Sequence, residues 1–282
     1  MKFGLRLADW FGTTQNMVEL AVLAEKNGFD YCWVSHDVFM RSSFVTLTSI
    51  ANHTSRIILG NTILNPYTTN PAELASKRDL YIMHDQVYER MVFDGRPYIP
   101  MAKFKEVKDL LISISSFSKL FNMMNYRLGY AIGPAGVIHG MELIHAFSSM
   151  GIPGLIQRGA LPALNQEFED RHITETIAGL QKARDYAVAK MGSIEDTRVS
   201  SPEGTNLILL EISSFGMSSM DFCKYLLNEA SVTCAPGVAY HAEGHIRFSL
   251  GSPRIEEAID RIATAISKLS RKKVAKRIVV HA

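Results

Sequence analysis

An α/β fold, with a mostly parallel mixed sheet covered by helices and a smaller α+β C-terminal domain, is predicted from three patterns in the sequence. Residues 1–76 alternate strand and helix signals in the order βαβαβ with short links, which calls for parallel strands and right-handed crossovers. Two later strand signals, 110–114 and 127–132, are separated by only a short segment, so they pair antiparallel rather than through a crossover helix. From Ser201 onward short strands and helices follow one another in an α+β pattern.

The elements follow in order. A strand over 2–7 precedes a helix in which Met17, Leu20, Ala21, Leu23 and Ala24 recur at helical spacing up to a capping Gly28. Strands over 31–35 and 56–64 flank a helix over 44–52, and another helix starts over 71–76. A strand over 80–83 delivers the polar phrase His84 to Met91. After Pro134 a helix carries Val137, Ile138, Met141, Leu143, Ile144 and Phe147. A second starts near Pro153 and runs to Leu164, and a long third carries Ile173, Ile177, Leu180, Ala183, Tyr186 and Ala187. Their apolar stripes are expected to be core. The C-terminal part reads as a strand over 206–212, a helix over 218–228, a Pro236-Gly237 turn, a strand over 245–250 and a helix over 255–269. A single mixed sheet of about six or seven strands is expected.

At 282 residues with 47% hydrophobic content, the chain has ample apolar material for one large domain or two ordinary ones. A net charge of +2 without a dense basic field argues against a nucleic-acid partner. Cys32, Cys223 and Cys234 show no Cys-x-x-Cys spacing, so free buried thiols and a reducing, cytoplasmic setting are expected. The first residues lack the pattern of a signal peptide, and no run approaches the roughly 18 apolar residues of a membrane span. His139, His145 and His172 are scattered without paired ligand spacing, so no metal site is assigned. The basic run from Arg271 to Arg277 reads as a solvated chain end.

Chemistry concentrates between Ser113 and Pro134. Ser116, Ser118 and Arg127 offer hydroxyl and guanidinium donors suited to a phosphate. Lys119 beside such a site is a candidate Schiff-base former, because desolvation and cationic neighbours free its amine. A lone Ser-Lys pair is more often a solvated lysine on a polar loop, and further matches decide the matter. Ser116-Phe117-Ser118-Lys119 followed by Arg127-Leu128-Gly129 resembles the active-site segment of the class I and II aminotransferases, fold-type I enzymes that use pyridoxal phosphate. The phrase around Asp85 and Tyr88 resembles that family's Asp-x-x-Tyr, although His84 and Gln86 replace its usual neighbours. The Ile-Arg-Phe-Ser phrase puts Arg247 on the family's substrate-carboxylate position.

The resemblance implies a truncated pyridoxal-phosphate-transferase-like sheet and assigns roles. Lys119 forms the aldimine, Asp85 pairs with the ring nitrogen, Tyr88 meets the ring oxygen, Ser116, Ser118 and Arg127 hold the phosphate, and Arg247 binds the substrate. It implies an amino acid and a 2-oxo acid as partners, and a homodimer. The family's glycine-containing phosphate turn, stacking aromatic and Asn-Pro-Thr-Gly phrase are absent before Asp85, and Asn70-Pro71 echoes the last only faintly.

The first 75 residues resemble something else, the opening strands of the luciferase-like monooxygenase superfamily and its deazaflavin-dependent reductases. That resemblance implies cofactor contacts at strand ends, where His36, Asp37 and Asn65 stand. The change of pattern near Ala72-Glu73-Leu74-Ala75 predicts a chimera: a luciferase-like segment over 1–76, the rest of an aminotransferase large domain over 77–187 and its small domain over 188–282. A deazaflavin- or flavin-dependent oxidoreductase and a folded but inactive chimera are the competing expectations.

Overall fold

The Thr13 hydroxyl accepts from the Asn16 backbone N–H while the Asn16 side chain accepts from the Thr13 backbone, a reciprocal cap that starts the first helix. In the computed structural model of the chain, which describes residues 2–35, 42–62, 70, 72, 75 and 80–280 and the side chains as far as Leu269, that helix is α1, Thr14–Lys26. It closes at Gly28, whose φ of +83° is the left-handed conformation a glycine cap supplies. The chain divides into two compact units, Met1–Arg78 and Asp79–Ala282.

In the first unit β1 (Gly4–Leu7), β2 (Tyr31–Ser35) and β3 (Ile58–Thr62) form a parallel sheet in that order, with α1 and α2 (Ser43–Ala51) as the connections. Leu7, Met17, Val18, Ala21, Cys32, Val34 and Ile50 close its core. Trp33 lies across the neighbouring strands at Gly4 and Gly60, where a Cβ would meet its ring at 2.1 and 2.6 Å. Glu25, near the end of α1, accepts the backbone N–H groups of Ser55, Arg56 and Ile57 and so fixes the start of β3. Of the helix over 71–76 only Ala72 and Ala75 are described, both helical and buried, and the strand-end residues His36, Asp37 and Asn65 lie outside the described residues.

The second unit holds two sheets. β4 (Ile82–Asp85) pairs parallel with β5 (Leu111–Ser116), and β5 pairs antiparallel with β6 (Gly129–Ile132), as the short connection predicts. β6 starts two residues later than the sequence suggests because Arg127 is left-handed, at φ +54°. α3 (Ala135–Ser149), α4 (Gly154–Ala160) and the long α5 (Gln166–Gly192) follow. The C-terminal sheet has the order β7-β8-β10-β9, from β7 (Arg198–Val199), β8 (Leu207–Glu211), β9 (Ala235–Pro236) and β10 (His245–Ser249), all antiparallel. α6 (Ser219–Ala230) and α7 (Ile255–Val280) complete the unit. One core runs from Met91, Phe93 and Leu120 through α5 to Leu210, Phe222, Ile246 and Ile262.

Two expectations are corrected. The described strands form three separate sheets of three, four and three strands, not one of six or seven. The parallel run β1–β3 already buries its apolar side chains on α1 and α2, so its core closes locally. The apolar stripe of α3 is not core. None of its residues is buried, and Phe147 is 88% exposed. Helical periodicity states that a face is apolar and leaves open which part of a protein covers it.

Candidate active site

The site begins at the end of β4. Asp85 is the last strand residue and is exposed, and its Oδ1 accepts from the Val87 backbone N–H at 3.3 Å. The turn that follows carries Tyr88, which packs half-buried against the main core. Burial pushes the Tyr88 hydroxyl above its ordinary range, the Arg247 charge pulls it down and the Asp85 charge pushes it up. Tyr88 therefore stands within the electrostatic reach of two groups from distant parts of the sequence.

Lys119 is set by its neighbours. Phe117 is buried with Ala160 and Ala163, and Leu120 is buried in the main core. These anchors leave Lys119 half-buried between them, with Nζ 5.9 Å from the centre of the Tyr88 ring. No carboxylate within ion-pair distance of that ammonium is found among the described residues. Ser116 and Ser118 form a small nest: the Ser116 hydroxyl donates to the Ser118 Oγ at 2.8 Å and accepts from the Ser118 backbone N–H at 3.0 Å. Within this nest the Ser116 hydroxyl hydrogen and the Ser118 N–H are taken up locally, with the Leu128 carbonyl a second acceptor for Ser116 at 3.2 Å, so the Ser118 hydroxyl hydrogen is the donor left for an anion. At the close of the turn Gly129 is required, because a Cβ there would lie 2.7 Å from the Ser115 carbonyl oxygen.

Arg127 and Arg247 behave differently. Arg127 is exposed, and its guanidinium donates to the Met124 carbonyl at 3.0 Å within its own turn rather than to Ser116 or Ser118. Arg247, on β10, lies with Cζ 3.7 Å above the centre of the Tyr240 ring and donates to the Tyr240 hydroxyl. The surface ion pair that an ordinary strand arginine would make is absent among the described residues, so the charge of Arg247 is not neutralised by an acid. Asp85, Tyr88, Lys119 and Arg247 thus form one constellation, with the Ser116–Ser118 nest on the turn that carries Lys119.

Supporting residues carried little sequence signal. His172 of α5 donates from Nε2 to the Leu120 carbonyl at 3.1 Å and is stacked between Phe121 and Phe168, with interplanar angles of 9° and 7°. Arg90 pairs with Glu169 and Asp170 at the start of the same helix. Glu89 accepts from Ser115, Tyr130 and Gln86. Only the spacing of Phe168 and His172, four residues apart on one helix face, could have hinted at the stack. Around His139, His145 and His172 no group of metal-ligating side chains occurs among the described residues.

Comparisons with known proteins bear on the family and the fold. The family model for aminotransferase class I and II matches residues 66–266, and the model for luciferase-like monooxygenase matches residues 5–78, so the two meet in the stretch where the motifs change. An aspartate aminotransferase from Pyrococcus horikoshii is 29% identical over 231 residues, covering 78% of this chain and 59% of the relative. An LL-diaminopimelate aminotransferase from Dehalococcoides mccartyi is 32% identical over 196 residues, covering 68% of this chain and 50% of the relative. The chain thus spans about half the length of the curated relatives it matches. Among solved structures, an aromatic aminotransferase from Pyrococcus horikoshii superimposes with a TM-score of 0.66 at 21% identity, covering 92% of this chain and 78% of that one. A Thermus thermophilus aspartate aminotransferase with maleate gives 0.65 at 18% identity, covering 95% and 70%. These two establish the fold. No closed barrel is formed by the described strands. Through residues 66–266, which carry Asp85, Tyr88, Lys119 and Arg247, the chain belongs to the class I and II aminotransferase family.

Proposed function

We propose that this chain transfers an amino group between an amino acid and a 2-oxo acid, using pyridoxal phosphate held by Lys119. The observation that carries this reading is the Lys119 amine, beside the Tyr88 ring and without an acidic partner among the described residues. No salt link has to break before its nitrogen can reach the carbonyl carbon of a bound cofactor. The residues present fit the cofactor of the family: an amine, a carboxylate at a strand end, a tyrosine hydroxyl and an anion nest on the neighbouring turn.

When bound, pyridoxal phosphate supplies a protonated ring that accepts the electron pair released at the substrate α-carbon. Asp85 favours the protonated ring nitrogen, and Tyr88 donates to the ring oxygen. The Ser116–Ser118 nest binds phosphate oxygens, with Arg127 joining when its guanidinium leaves the Met124 carbonyl. Arg247 binds the substrate carboxylate through the N–H edge that Tyr240 leaves open, since a guanidinium matches a carboxylate bidentately. The Lys119 amine, released by the substrate, carries the proton taken from the α-carbon.

Homodimer formation is part of the reading, supported by the exposed apolar face of α3. Three free cysteines support a reducing, cytoplasmic compartment. The two family matches support a chimera of a luciferase-like segment over 1–76 with aminotransferase large and small domains over 77–187 and 188–282. Treatment of the pyridoxal-phosphate-loaded chain with borohydride, followed by peptide mapping, tests the central claim. A pyridoxyl label on Lys119 that is lost in Lys119→Ala is the expected result. A label elsewhere, or none, refutes it.

A further inference from the structure

The pairing register sorts the residues of β5 between two faces. Asp85 is opposite Ile114, Ile114 is opposite Ala131, and Ser116 is opposite Gly129, so Asp85 and Ser116 share the cofactor face. Ser115 is opposite Tyr130, and both side chains point to the other face. On that other side lies Glu89, the residue after Tyr88. Its Oε1 accepts from the Ser115 hydroxyl at 2.5 Å and the Tyr130 hydroxyl at 2.8 Å, and its Oε2 accepts from the Gln86 amide at 3.1 Å. Ser115 is 2% exposed, so its hydroxyl has no access to water as a substitute acceptor.

One carboxylate therefore joins the Tyr88 turn to β5 and β6 from behind the sheet. We propose that Glu89 is a positioning residue: it fixes Tyr88 relative to the Ser116–Lys119 turn, and through that the pyridoxal-phosphate site. This rests on the reading of Lys119 and Tyr88 given above. Ser115 and Ser116 are adjacent, so the strut acts one residue from the anion nest, and Glu89 is one residue from Tyr88. A single acceptor atom, Oε1, takes both the Ser115 and the Tyr130 hydroxyl, so the turn, β5 and β6 are joined at one point.

The test compares the full wild-type chain with Glu89→Ala, Glu89→Gln, Ser115→Ala and Tyr130→Phe. The readouts are the borohydride label at Lys119, the pyridoxal-phosphate dissociation constant, the pH at which the bound chromophore changes absorbance, and the urea midpoint without cofactor. Glu89→Gln keeps an acceptor for both hydroxyls and is expected to bind within about threefold of wild type. Glu89→Ala is expected to bind about tenfold or more weakly, as loss of an outer hydrogen-bond partner does at other ligand sites. Its chromophore pH is expected to move, because Tyr88 leaves the ring oxygen, an effect that lowered fold stability alone does not produce. Ser115→Ala and Tyr130→Phe are each expected to weaken binding about threefold, and they decide the matter if Glu89→Ala does not fold. Wild-type affinity and chromophore pH in Glu89→Ala, or a Glu89→Gln as weak as Glu89→Ala, overturns the proposal while a Lys119 label leaves the aminotransferase reading intact. A wild-type chain without that label overturns both.

Discussion

Arg184 and Arg247 are each stacked on an aromatic ring, yet their charges meet different surroundings. The Arg184 guanidinium lies 5.0 Å from the centre of the Phe93 ring and is held in two hydrogen bonds by Asp94, with a third to the Pro202 carbonyl and one to Asp185. Arg247 rests on Tyr240 without any acid among the described residues. The first arginine is committed to holding the fold, and the second is available to an anion. Arg184→Ala should lower unfolding free energy by about 2–4 kcal/mol in urea titration, since it removes a nearly buried charge from a satisfied network. Arg247→Ala should leave that free energy within about 1 kcal/mol of wild type. On the proposed reading it should raise KM for the amino acid by about 10- to 100-fold, the worth of a charge-assisted hydrogen-bond pair.

Among the elements, β5 does the most, and it does so through its two-residue period. Ser113 and Ser115 turn to one side, Ile114 and Ser116 to the other, and the antiparallel partner β6 must approach closely at Gly129. Gly129→Ala forces a Cβ to within 2.7 Å of the Ser115 carbonyl, so β6 has to shift. The expected cost is about 1–3 kcal/mol, typical of overpacking, and urea denaturation measures it. α3 illustrates the opposite case. Phe147 is 88% exposed, so Phe147→Ser should change the stability of the monomer by no more than about 0.5 kcal/mol. A loss of several kcal/mol in dilute solution would mean that the helix face is covered.

The molecule as a whole carries carboxylates held below their ordinary range. Hydrogen bonds from the backbone of Ile57 and Arg56 do this at Glu25, the Arg184 side chain at Asp94, Ser219 at Glu243, and Lys190 and Tyr186 at Asp260. Each contributes stability that is complete above its unfolded value, near 4.5 for Glu and 3.8 for Asp, and is lost as pH falls through the lower folded value. Burial also holds the His84 imidazole below 6.5, so its contribution starts to fall earlier, below that pH. Tyr88, Tyr98 and Tyr130 are pushed above 10.0 by burial, and their contribution is lost as pH rises past that value. Thermal melts across pH should therefore show a shallow acid decline below about 6.5, a steep one below about 4.5, and an alkaline decline above about 10. A His84→Asn chain should lose the shallow step.

Sequence alone was enough for whatever depends on local spacing. The βαβαβ start, the antiparallel β5–β6 pair and the long α5 were all legible, because strand and helix periods and short links act within a few residues, whereas Asp85, Tyr88 and Arg247 stood out only through their resemblance to family motifs. The tertiary structure decided which groups meet. Glu89 stood in plain view beside Tyr88, but its partners Ser115 and Tyr130 lie 26 and 41 residues away, joined to it only by strand register. His172 is 52 residues from the Leu120 carbonyl that it binds. Arg127 matched a motif, yet its left-handed backbone turns the guanidinium to Met124. The apolar face of α3 was equally legible and equally misleading as core, because periodicity records that a surface is apolar, and only packing determines what, if anything, lies against it.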